Sequence, residues 1–161
     1  MSELEKVRIG QGELGKVVAF RLGPGCDLLK SLEEIVKKEN IQSGLVLSGA
    51  GSLSQVTLRN VRLFPDEFPI QDRNRIYTLK KEPLELLSLT GNIARKDGEV
   101  SIHCHITVSS GLDDGGAYGG HLIEGCLVFS YCEVVIAEIT GLKMKRNIDP
   151  ETRGPELFFE P

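Results

Sequence analysis

No two cysteines of this chain stand at CxxC spacing: Cys26, Cys104, Cys126 and Cys132 are scattered along 161 residues. A thiolate zinc site and a disulfide frame are therefore not indicated, and the thiols read as small core residues of a reducing compartment. No apolar run approaches the ~20 residues that a bilayer-spanning helix needs. The start, Met1-Ser2-Glu3-Leu4-Glu5-Lys6, is polar rather than a secretory signal, so a cytoplasmic protein with no membrane partner is expected. Basic charge is in deficit, 19 Lys+Arg against 23 Asp+Glu, for a net charge of -4. A domain that grips duplex DNA unaided carries a basic surplus, so DNA binding by the isolated chain is expected to be weak or absent. There is no internal repeat and no low-complexity segment. The glycine-rich stretch Gly111-Leu112-Asp113-Asp114-Gly115-Gly116 lacks the GK[ST] of a nucleotide P-loop, and its aspartates would repel phosphate, so it reads as a lid or turn.

What is present suits one packed domain. Hydrophobic residues make up 40% of the chain and charged residues 26%, ordinary globular proportions over a length that fits a single core. Lys16–Leu22 is β-rich and stops at Gly23-Pro24-Gly25. A helix capped by Asp27 should follow, because Leu28, Leu29, Leu32, Ile35 and Val36 form one stripe of period 3.6. Gly44–Ser48 reads as a buried strand ending at Gly49-Ala50-Gly51, and Val56–Arg59 as another, with a surface loop from Pro65 to Asn74. Leu84–Thr90 is a leucine-rich strand, and Asp97-Gly98 signals a hairpin into Val100–Val108. Leu127–Ile139 is long enough for two strands or one bent one. Strands dominate, with one firm helix. Beyond Gly141 comes a basic cluster, Lys143-Met144-Lys145-Arg146, and then a proline-containing stretch without periodicity, read as a tail.

The chemistry gathers on histidine. The chain has three, His103, His105 and His121, all within nineteen positions. A period of two puts His103 and His105 on one polar face of the Val100–Val108 strand, their backbones ~7 Å apart, near enough for both imidazoles to bind one ion. The glycine-rich loop could fold back to bring His121, which would give three neutral nitrogen ligands and an open fourth position, the layout of a catalytic zinc site. The plainer alternative is a solvated strand face with His121 stacked on its neighbour. Glu85 is an odd carboxylate among leucines: it could orient a ligand histidine, bind the metal or act as general base for metal-bound water, or it could be a salt-bridged or edge-facing side chain. Glu124, Glu133 and Glu138 read as surface residues.

Four motifs in order, Leu22-Gly23-Pro24-Gly25-Cys26-Asp27-Leu28, Leu47-Ser48-Gly49-Ala50-Gly51-Ser52-Leu53, Leu84-Glu85-Leu86-Leu87-Ser88-Leu89-Thr90-Gly91 and Gly119-Gly120-His121-Leu122, resemble the plant-and-prokaryote conserved (PPC) domain family over about residues 14 to 142. The resemblance implies an α+β fold, a mainly antiparallel β-sheet with one principal helix in a single domain (residues 1–142, then a C-terminal tail 143–161), and a homotrimer. It also implies a metal site at His103, His105 and His121, matching prokaryotic members with this histidine set. Plant relatives add an AT-hook with an Arg-Gly-Arg-Pro core; Arg153-Gly154-Pro155 lacks the second arginine. The expectation is thus a homotrimeric protein with a divalent metal, zinc, on three histidines, binding a small ligand or catalysing a metal-assisted reaction. The alternative is a DNA-associated regulatory or oligomerisation module.

Overall fold

The computed structural model describes residues 6–112 and 114–161. The polar start up to Glu5, and Asp113 of the acidic pair, lie outside them. The elements run β1 (Glu13–Leu22), α1 (Leu28–Lys38), β2 (Gly44–Val61), β3 (Arg75–Lys80), β4 (Leu84–Lys96), β5 (Glu99–Ser110), β6 (Ala117–Leu122), β7 (Leu127–Thr140), β8 (Lys143–Ile148) and β9 (Pro155–Glu160). The fold is α+β, one mainly antiparallel sheet with one α-helix among the described residues, as expected. Its order is β1-β7-β2-β6-β5-β4-β8-β9, with β3 on β2. Because β2 pairs with β6 at Leu58–Arg59 and with β4 across Gly44–Leu53, strands β2, β6, β5 and β4 close into a ring.

Side chains pointing into the ring make the core. On β5, Cys104, Ile106 and Val108 are buried while the intervening residues face outward, the period of two expected of a half-buried strand. Leu28, Leu32 and Val36 of α1 are fully buried. Asp27 begins that helix by accepting from the Lys30 N–H at 3.1 Å, and its other oxygen accepts from the Gly125 N–H at 2.7 Å. One side chain thus caps the helix and ties it to the β6–β7 turn.

Two stretches differ from the sequence expectation. Gly49-Ala50-Gly51 does not end a strand: β2 continues for 18 residues and bends there, with register shifts against β7. A Cβ on Gly51 would lie 2.3 Å from the Tyr131 carbonyl oxygen, so glycine here permits a close strand approach rather than a turn. Residues 143–161 are not an aperiodic tail. β8 and β9 pair from Lys143↔Glu160 to Ile148↔Pro155, and β8 touches β4 in parallel at Arg95↔Lys145. The apolar Leu157-Phe158-Phe159 docks on its own chain: the Arg8 guanidinium lies 4.6 Å over the Phe158 ring, and Phe159 fills the space beside Gly10.

Candidate metal centre

The three histidines share the outer face of the ring because the strand register puts them there. Arg59 on β2 pairs with His121 on β6, His121 with His105 on β5, and His105 with Thr90 on β4. His103, two residues along β5, faces the same way opposite Asn92. His121 is therefore held by strand pairing, not carried by a flexible loop as expected from the glycines. Those glycines serve the pairing: the Asn60 amide occupies the place of a Cβ on Gly120, 2.6 Å from it, and donates to the Gly119 carbonyl oxygen at 3.0 Å.

Ring centroids are 4.7 Å apart for His103 and His121, 5.3 Å for His103 and His105, and 5.4 Å for His105 and His121. One ligating nitrogen from each residue lies within 4.8 Å of the others. His103 Nε2 and His105 Nε2 are 3.3 Å apart. Two nitrogens bonded to one zinc at tetrahedral angles stand ~3.4 Å apart, so this pair already has the spacing of one edge of a zinc polyhedron. Burial, and next the Arg59 charge, push His121 down to about 3. Burial and the Arg146 charge lower His103 as well. Both rings are thus neutral at ordinary pH, the form that binds metal.

Arg146 was hidden in the sequence inside an apparent basic cluster. The period of two in β8 was the signal: Met144 and Arg146 are buried while Lys143 faces out. The Arg146 guanidinium donates to Asn92 Oδ1 at 2.6 Å and meets His103 Nδ1 at 3.2 Å. A guanidinium only donates, so Nδ1 accepts and the His103 proton sits on Nε2, directed at His105. Arg59 was missed too, although its alternation with the buried Val56 and Leu58 puts it on the polar face.

The structure does not bring Glu85 to this cluster. It is exposed and pairs with Ser109, four residues along β5 from His105, roughly 13 Å by strand rise. Of the other acidic side chains, Glu124 binds Lys30 at 2.8 Å on the surface. All four cysteines are free, and burial pushes the Cys104 thiol up to about 12 and those of Cys126 and Cys132 to about 11, so these three are inert packing residues. Among the described residues, no helix is long and apolar enough to cross a membrane.

Residues 9–140 match the model of the Plants and Prokaryotes Conserved (PCC) domain. Over 146 residues, 91% of this chain, the sequence is 37% identical to the bifunctional protein GlmU of a Synechococcus strain, 20% of which is covered. The chain thus spans about a fifth of the length of the curated relatives it matches. A metal-containing protein of Archaeoglobus fulgidus shares the fold with a TM-score of 0.76 at 28% identity, over 93% of this chain and 98% of that one. A proposed DNA-binding protein of Ralstonia eutropha shares it with a TM-score of 0.70 at 26% identity, over 97% and 98%.

Proposed function

Since the chain belongs to the Plants and Prokaryotes Conserved domain family, we propose that it is a homotrimeric metal-binding protein whose His103, His105 and His121 hold one divalent ion, zinc by its all-nitrogen donor set. The observation that carries this reading is the 3.3 Å between the Nε2 atoms of His103 and His105, with a third imidazole beside them. Three ligands leave a fourth position for a small ligand or water, where an ion would polarise a bound oxygen. Arg146, held by Asn92, meets the His103 ring at Nδ1. The metal-containing relative from Archaeoglobus fulgidus supports the same reading. Self-association is supported by Leu47, Leu87, Phe129 and Tyr131, large apolar side chains exposed on the neighbouring strands β2, β4 and β7. Four free thiols suit a reducing cytoplasm.

The test is elemental analysis of protein purified without a histidine tag. One zinc per chain is expected, with most of it lost in His105→Ala and all of it kept in Glu85→Gln. Full metal in His105→Ala would place the site elsewhere.

A second reading, a DNA-associated module, is favoured by the Ralstonia eutropha relative. Against it, the basic run Lys143–Arg146 is dispersed by the fold: Arg146 is turned inward and Lys145 binds Glu160 at 2.6 Å.

A further inference from the structure

The histidines lie in a trough of about 470 Å³ whose walls also carry Arg59, Arg75, Lys96 and Arg146. Its size is that of a small-molecule site. Its charge is unusual for a chain of net charge -4: four cationic side chains face one carboxylate, Glu156. That carboxylate is exposed and engaged by the Thr152 hydroxyl at 2.9 Å. Among the described residues none of the three arginines forms an ion pair. Arg75 donates only to the Ile70 carbonyl oxygen at 3.5 Å, and Arg146, 8% exposed, hydrogen-bonds only neutral partners and has the Glu156 charge near it without an ion-pair contact. A buried guanidinium with no carboxylate in direct contact is costly, and a divalent ion on neutral imidazoles adds two more positive charges.

We infer that this trough is the binding site of a small organic anion, a carboxylate or phosphate monoester, whose charged group is gripped by Arg59 and Arg75 on one side of the histidines and by Arg146 on the other. The guanidinium fork matches both oxyanions in a way that a lysine does not. Arg59 stands directly opposite His121 across β2 and β6, so an anion at the open metal position lies within its reach. Arg75, opposite Val61 on β3, continues the same face. With Nε2 of His103 given to an ion, its ring proton belongs on Nδ1, and the Arg146 N–H now donated there is released for a ligand. The volume of the trough, about 470 Å³, suits a small molecule.

This inference rests on the metal reading for part of its charge, and the test separates the two. Zinc-loaded full-length protein is titrated calorimetrically at physiological salt with benzoate, phenyl phosphate, the neutral isostere benzamide and a duplex DNA, and zinc content is measured in every sample. Benzoate or phenyl phosphate should bind and benzamide should not; which of the two anions binds more tightly identifies the oxyanion. Arg59→Gln and Arg75→Gln, on different strands, should each weaken that binding by about tenfold or more with zinc content unchanged. Folding of each variant is checked by circular dichroism, and Arg59→Lys, which keeps the charge but not the fork, should fall between. Anion binding that survives in zinc-free His105→Ala protein would sink the metal reading's share and leave the anion site standing. Equal binding of benzamide and benzoate, unchanged anion affinity in both folded glutamine variants, or no binding of either anion overturns the inference. DNA binding that depends on Arg59 while the small anions fail to bind would overturn it in favour of a nucleic acid.

Discussion

At the scale of single residues, the site depends on small side chains as much as on its imidazoles. Gly91 pairs with Cys104, and a Cβ there would sit 2.1 Å from the His103 carbonyl oxygen, a backbone atom that cannot step aside. Gly91→Ala should therefore push β4 from β5, destabilise the fold by about 1–3 kcal/mol in urea denaturation and weaken zinc binding through His103. An unchanged midpoint would show that the strands part without cost. The histidines also make stability depend on pH. Burial and Arg59 hold His121 at about 3, and burial and Arg146 lower His103, while in the unfolded chain both titrate near ~6.5. Above ~6.5 both states are neutral and stability is full. Below it the unfolded chain gains protons that the fold excludes, so metal-free protein should lose stability progressively as pH falls from ~6.5 towards about 3. Urea midpoints measured above the carboxylate range, between about pH 7 and 5, isolate this contribution; a flat profile there would contradict it.

At the scale of elements, each strand is legible where one face is buried and obscure where both faces are occupied. β5 shows its alternation because its outer face is polar, which is why His103 and His105 could be paired from sequence alone. The hairpin at Asp97-Gly98 follows its dipeptide, with both residues at positive φ, 51° and 85°. β6 was obscure because Tyr118-Gly119-Gly120 carries the composition of a loop, and only its pairing with β5 makes it a strand. The 143–161 segment was obscure for a related reason: β8 and β9 are strands chiefly because they pair with each other and pack on the N-terminal segment. The helix was read correctly, cap included. Asp27→Ala removes both the cap bond and the tie to Gly125, and should cost about 1–2 kcal/mol in chemical denaturation without loss of zinc. A loss below a few tenths would mean that water replaces both bonds.

At the scale of the whole molecule, the ring of strands carries the cationic trough, roofed in part by Pro155 and Glu156 at the start of β9. Outside it, Leu87, Phe129 and Tyr131 are exposed at 56%, 60% and 48%, apolar side chains suited to contact with a second copy. Light scattering at micromolar concentration should give the mass of a trimer, and a monomer mass would remove that assembly. Because Phe158 and Phe159 pack within their own chain, a protein ending at Arg146 should keep the same oligomeric state but unfold at lower denaturant. Loss of the assembly on truncation would place the tail at the interface.

The predominance of strands, the capped helix, the hairpin and the shared face of His103 and His105 were legible in the sequence, since each rests on periodicity or turn chemistry within a short window, whereas the α+β class came from the family resemblance. Tertiary structure alone decided the rest. Which residue lies opposite His121 is a matter of register between strands distant in the chain, and that register puts Arg59 there and leaves Glu85 four residues away. The place of Arg146 follows from a single parallel bridge between β8 and β4. Such pairings are fixed by the closure of the ring around its apolar core, where a slip of one residue would turn every buried side chain outward, and no local window of sequence contains that constraint.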